Sequence, residues 1–247
     1  MNTTFVTAFY YVKDYNNPGK SIEKYFECFK KLINTGILLS VYISPEYKDQ
    51  LEELVKDHAN VKIAKVMAIQ DTWVYKTANV GIKLPSNRNV LKDTFDYMVC
   101  QNTKIECLYY SIQENYFNTD QFAWIDFGIF HVLNDFEKAT LLLKKIANSQ
   151  LKDSLVFPGC WNKGYAYLDG VNWRLCGGFF MGNKNKLIDM WKRYQAFLPQ
   201  FIQKYNLMTW EVNLWAAMEM ETDFTFDWYH ADHNLTILNI PQAYFLN

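Results

Sequence analysis

Between Thr4 and Val66 the chain alternates short apolar, β-branched runs with segments of helical spacing, and this β-α-β-α-β order restricts the fold more than any other feature. Thr4 to Tyr10 reads as a buried first strand. After an Asn-Asn-Pro-Gly turn (Asn16 to Gly19), Ser21 is placed to cap a helix in which Ile22, Tyr25, Phe26, Phe29, Leu32 and Ile33 follow helical spacing, and Gly36 ends it. Ile37 to Ile43 reads as a second strand, Pro45 to His58 as a helix with proline at its start, and Val61 to Val66 as a third strand. Strands joined by helix-length crossovers pair in parallel, which predicts an α/β sheet covered by helices. Such sheets bind ligands beyond the carboxyl ends of their strands, so Thr7, Phe9 and Tyr10 become candidates to flank a nucleotide. No GxGxxG or P-loop run follows the first strand, so a nucleotide must be gripped without those phosphate-cradling loops.

The chain has 247 residues, half of them apolar, with no Pro/Gly/Ser-rich linker and no repeat, which predicts one domain over residues 1–247. Basic and acidic residues nearly balance (25 against 26), which gives no global attraction to nucleic acid or anionic membranes. Five cysteines without CxxC spacing argue against a disulfide framework and fit a reducing, cytoplasmic setting. The first ten residues do not read as a signal peptide, and no apolar run is long enough to span a membrane. The 17 Tyr, 18 Phe and 8 Trp are expected mainly in the core, with some rings left to stack on bases or sugars.

Farther along, Lys92 to Asn115 is imperfectly helical, and Gln121 to Phe130 is an apolar strand interrupted by Asp126 and Gly128. Asn134 to Ser149 reads as an N-capped helix, Ser154 to Pro158 as a strand, and Asn172 to Gly182 as a strand with paired glycines. Lys184 to Tyr205 and Thr209 to Met220 read as helices, the second capped by Thr209, and two or three short strands are expected in the tail.

A carboxylate inside a run of Phe, Trp and Ile needs a cation, a metal or several donors, so Asp126 is the leading site candidate, with turn-capping as its structural alternative. His230 and His233, or His131, could complete a metal site begun by Asp126, because imidazole ligates Mn-like and Zn-like ions; each is otherwise a hydrogen-bonded structural residue. Gly177 and Gly178 allow close backbone approach to a ligand, or form a bulge or tight turn. Glu211, in the first turn of a predicted helix, either favours the helix dipole or serves as an acceptor-side base. Lys104 and Arg174 are candidates to neutralise donor phosphates. HExxH and Gly-x-Ser-x-Gly are both absent, which disfavours zinc-hydrolase and acyl-transfer chemistry.

Four segments, Phe5-Val-Thr-Ala-Phe9, Trp124-Ile-Asp-Phe-Gly128, Cys176-Gly-Gly-Phe-Phe-Met-Gly182 and Thr209-Trp-Glu-Val-Asn-Leu-Trp215, resemble the HtrL/YibB-like family of glycosyltransferase-like bacterial proteins found beside surface-polysaccharide genes. The resemblance implies a GT-A-like single domain with a central, mostly parallel mixed sheet flanked by helices. It also implies an Asp-x-Asp motif that ends a central strand and holds a divalent metal on the donor diphosphate. Asp126 takes the first acidic position, whereas Gly128 stands where the second would be. The expectation is therefore a glycosyltransferase using a UDP- or GDP-linked sugar, Mn²⁺ or Mg²⁺, and a glycan or other hydroxyl acceptor, with Asp126 and Glu211 in catalytic roles. The rival is a non-catalytic nucleotide-sugar-binding protein that has lost the second carboxylate. A metal-dependent phosphohydrolase or nucleotidyltransferase is a third reading, disfavoured by the scarcity of carboxylates.

Overall fold

In the computed structural model, which describes residues 1–13, 20–78, 81–164 and 167–246, seven strands build one mixed sheet. They are β1 (Thr3–Phe9), β2 (Leu38–Ile43), β3 (Val61–Val66), β4 (Gln121–Ile125), β5 (Leu155–Gly159), β6 (Phe179–Asn183) and β7 (Asp227–His230). Their order is β3-β2-β1-β4-β6-β5-β7. β1 pairs in parallel with both β2 and β4, whereas β6 runs antiparallel to its neighbours β4 and β5. The helices are α1 (Ile22–Asn34), α2 (Lys48–Val55), α3 (Trp73–Ala78), α4 (Phe95–Asn102), α5 (Lys104–Glu114), α6 (Phe136–Asn148), α7 (Lys184–Tyr205) and α8 (Glu211–Glu221). The chain is thus α/β, with a mostly parallel mixed sheet flanked by helices.

Local chemistry explains the first crossover. The Ser21 side chain accepts from the Lys24 amide to start α1, and Gly36 takes φ +77° after it, a left-handed conformation that costs glycine little. The Asn16 to Gly19 turn lies outside the described residues. Strand alternation divides the core into two layers. Phe5, Ala123 and Ile125 face α1 and α6, while Val6, Phe122 and Trp124 face α5, α7 and α8.

Several boundaries differ from expectation. Pro45–Tyr47 is a 3₁₀ turn ahead of α2, and Lys92 to Asn115 contains two helices, α4 and α5, meeting at Thr103. α6 is capped by Asp135 rather than Asn134. β6 begins only at Phe179, because the Asn172 and Arg174 amides are engaged by the side chains of Asn213 and Asn172 instead of a neighbouring strand. Thr209 does not cap α8, whose N-cap is Trp210; its hydroxyl bonds Leu168 O and Asn213 Nδ2. The tail holds one strand, β7, and two 3₁₀ turns. All five cysteines are free, and among the described residues no helix is long and apolar enough to cross a membrane.

Candidate functional site

From β1 the chain moves outward to β2 and β3, then returns to β1's other side with β4. Connections therefore leave the carboxyl ends of β1 and β4 in opposite directions, which opens a crevice where open α/β sheets hold ligands. A cleft of about 690 Å³ lies there, lined by residues that follow both strands, among them Phe9, Tyr10, Tyr11, Asp126, Phe127 and Gly128.

Asp126 is the first residue after β4. Its amide donates to Gly178 O at 3.0 Å, and its carbonyl accepts from the Ile129 amide at 2.9 Å, so the backbone is tied on both sides. Its Oδ1 accepts from Trp124 Nε1 at 2.7 Å and lies 3.1 Å from Lys104 Nζ. Lys104 opens α5 and also reaches Glu211 Oε1 at 2.7 Å and Gly177 O at 2.9 Å. Three residues widely separated in sequence thus form one cluster whose hub is a lysine only 3% exposed.

Burial alone would lower the Lys104 pKa, but the carboxylates of Asp126 and Glu211 outweigh it and hold the ammonium well above the ordinary lysine value. Glu211 is buried as well. Desolvation pushes its carboxyl upward, against the pull of Lys104. An ammonium has three hydrogens, and the three acceptors named account for them.

The glycines serve this packing. A Cβ on Gly177 would stand 1.9 Å from Glu211 Oε1, so what Gly177 makes room for is that carboxylate. A Cβ on Gly178 would lie 3.5 Å from Asp126 Oδ2. A Cβ on Gly128 would fall 2.6 Å from Tyr25 Cδ1, so an acid at that position would have to displace the Tyr25 ring.

On the cleft rim, His131 Nδ1 contacts Gly128 O and its Nε2 lies 2.9 Å from Lys20 Nζ. A carbonyl only accepts, so Nδ1 carries the ring hydrogen and Nε2 accepts from Lys20. Desolvation, followed by the charge of Lys20, lowers the His131 pKa; desolvation likewise lowers that of Lys20. His233 lies against Trp173, with ring centroids 5.3 Å apart, and burial lowers its pKa too.

Of the residues expected from sequence, Phe9, Tyr10, Lys104, Asp126, Gly177, Gly178, Glu211 and His233 line the cleft. Thr7 does not: it lies on the α1 and α6 face between Phe5 and Phe9 and is fully buried. The Tyr10 hydroxyl turns inward to Cys107 Sγ, 3.4 Å away. His230 ends β7 on the surface and is not among the lining residues. Arg174 is held in a buried pair with Glu219, at 3.0 and 3.1 Å, and takes no part in this cleft.

Among the described residues, no group of three or more His, Cys, Asp or Glu side chains is placed to hold a metal ion. The set of Asp126, His230 and His233 foreseen for Mn²⁺ or Mg²⁺ is therefore not assembled. Asp126 Oδ1 faces Lys104 and Trp124, and both nitrogens of His131 are already engaged.

The sequence pattern does not single out Lys20, Trp124 or Trp173. Trp124 carries a signal all the same, since a residue two before Asp126 on a strand shares its face. Lys20 and Trp173 meet the site only through tertiary packing.

No family model matches the chain, and no curated protein sequence matches it. Solved structures do align along it. The 4-diphosphocytidyl-2C-methyl-D-erythritol synthase of Anaerococcus prevotii is 9% identical over 93% of this chain and 89% of its own, with a TM-score of 0.44. Mouse xyloside xylosyltransferase 1, in its apo form, is 8% identical over 94% and 86%, also at 0.44. The mannose-1-phosphate geranyltransferase of Thermus thermophilus is 9% identical over 96% and 71%, at 0.39.

Proposed function

We propose that this chain is a glycosyltransferase that moves a sugar from a UDP- or GDP-linked donor to a glycan or other hydroxyl acceptor. The observation that carries the reading is Asp126, fixed at the carboxyl end of β4 and opening with Lys104 and Glu211 onto an aromatic-lined cleft beside β1. The cleft is large enough for a nucleotide sugar, and polar groups converge at one end of it. Tyr11 and Tyr47, rings 6.5 Å apart on its wall, offer faces for a base.

In this reading Asp126 receives ribose or sugar hydroxyls through Oδ2, since Oδ1 is taken by Trp124 and Lys104. Lys104 holds the two carboxylates at a fixed separation. Glu211, tied to Lys104 through Oε1, is suited to orienting an acceptor hydroxyl rather than to taking its proton. The residues present do not form a divalent-metal site, so no step is assigned to a metal.

The missing second acid at Gly128 favours one alternative, a protein that binds the donor without turning it over. A thermal-shift panel of UDP-, GDP-, CMP- and dTDP-sugars, each with Mn²⁺ and with EDTA, followed by nucleotide-release assays, separates the two readings. Stabilisation by one donor, lost in Asp126→Asn and accompanied by nucleotide release with an acceptor, supports the transferase. Stabilisation with no turnover supports the binding protein, and an unresponsive panel overturns both.

A further inference from the structure

We propose that Lys20, held in place by His131, is the cation that meets the donor diphosphate, and that it does so without a divalent metal; this rests on the transferase reading above. Lys104 cannot fill that role, because its three hydrogens are met by Glu211, Asp126 and Gly177. The cluster of two carboxylates and one ammonium carries a formal charge of −1 (−2 + 1), so a phosphate beside Asp126 needs a cation from elsewhere.

Besides Lys104, the lysines that line the cleft are Lys20 and Lys92. Lys92 is paired with Asp93 and sits over the Tyr97 ring at 4.2 Å. Lys20 is different. Among the described residues its hydrogen-bond partner is the neutral Nε2 of His131, which orients the ammonium without cancelling its charge.

His131 is itself fixed by the Gly128 carbonyl. The position that lacks a second acid thus supplies, through its backbone, the anchor of a cation. A carbonyl, an imidazole and an ammonium in series do here the electrostatic work that a carboxylate and a metal would share.

The test is calorimetric titration of inorganic pyrophosphate, in EDTA, into the wild type, Lys20→Met, Lys20→Arg and His131→Phe, with the remote surface variant Lys56→Met as control. One charge-assisted contact corresponds to about a 10-fold to 100-fold change in affinity. The expected result is wild-type binding without metal, unchanged in Lys56→Met, weakened at least about 10-fold in Lys20→Met, largely retained in Lys20→Arg and intermediate in His131→Phe. Equal affinity of Lys20→Met and wild type, or wild-type binding that appears only with Mn²⁺ or not at all, overturns the proposal. The same proteins on the nucleotide-sugar panel keep the two readings apart. A donor that stabilises Lys20→Met as well as the wild type removes Lys20 but leaves the transferase standing. A wild type that binds pyrophosphate but no donor removes the transferase.

Discussion

Lys104 Nζ lies 2.7 Å from Glu211 Oε1, and both side chains are almost wholly buried. Removing one partner of such a pair strands a charge, at a cost of about 3–5 kcal/mol. Glu211→Ala should lose stability of that order in chemical denaturation. Lys104→Met should lose at least as much at neutral pH, since it leaves two carboxylates facing each other, and adding Glu211→Gln should recover part of the loss.

Gly177→Ala should disturb the same pair from the other side. Its Cβ would stand 1.9 Å from Glu211 Oε1, so either the carboxylate or the backbone must move. The expected loss is about 1–3 kcal/mol by overpacking. In combination with Glu211→Ala the two losses should sum to less than their separate values, as denaturant midpoints will show.

Gly128→Asp restores the missing acid in sequence but not in space. The new side chain meets the Tyr25 ring, so thermal unfolding should drop by the equivalent of about 1–3 kcal/mol. Tyr25→Ala in the same chain should relieve the clash. The comparison is between the double variant and Tyr25→Ala alone.

Acid should weaken the rim of the cleft. The folded-state pKa of His131 lies below its ordinary 6.5, so its contribution to stability is present above that value and fades as pH falls through the folded value. The unfolded chain binds the proton more readily there, which gives a positive slope of stability with pH. The stability difference between wild type and His131→Gln should therefore be larger at about pH 7.5 than at about pH 5.5 in urea titrations. Glu211, raised by burial, contributes in the opposite sense to both proteins and cancels in the difference.

The first half of the fold was legible because its signals are local. The Ser21 cap, the positive φ of Gly36 and the alternating strands are decided within a few residues, and β1, α1, β2 and β3 fall close to where the pattern places them. The second half was read less well where side chains bond across the chain. Asn102 ties α4 to Thr209 O, and Asn213 holds the Asn172 amide, so helix and strand ends there are set by partners far away in sequence. The same contrast governs the site. Asp126 was conspicuous as a lone carboxylate in an apolar run, and Lys104 and Glu211 could be named one by one. Their pairing, and that of Lys20 with His131 across 111 positions, had no sequence signature because topology alone brings them together.

α8 is buried through most of its length and carries an ion pair near each end, Glu211 with Lys104 and Glu219 with Arg174. Eight residues along a helix amount to about 12 Å of rise, and each residue turns the axis by about 100°. The two anchors therefore fix the phase of the helix as well as its position. Inserting or deleting one residue between Val212 and Met218 would swing one carboxylate about 100° away from its cation. This stretch should accept changes of side chain far more readily than changes of length.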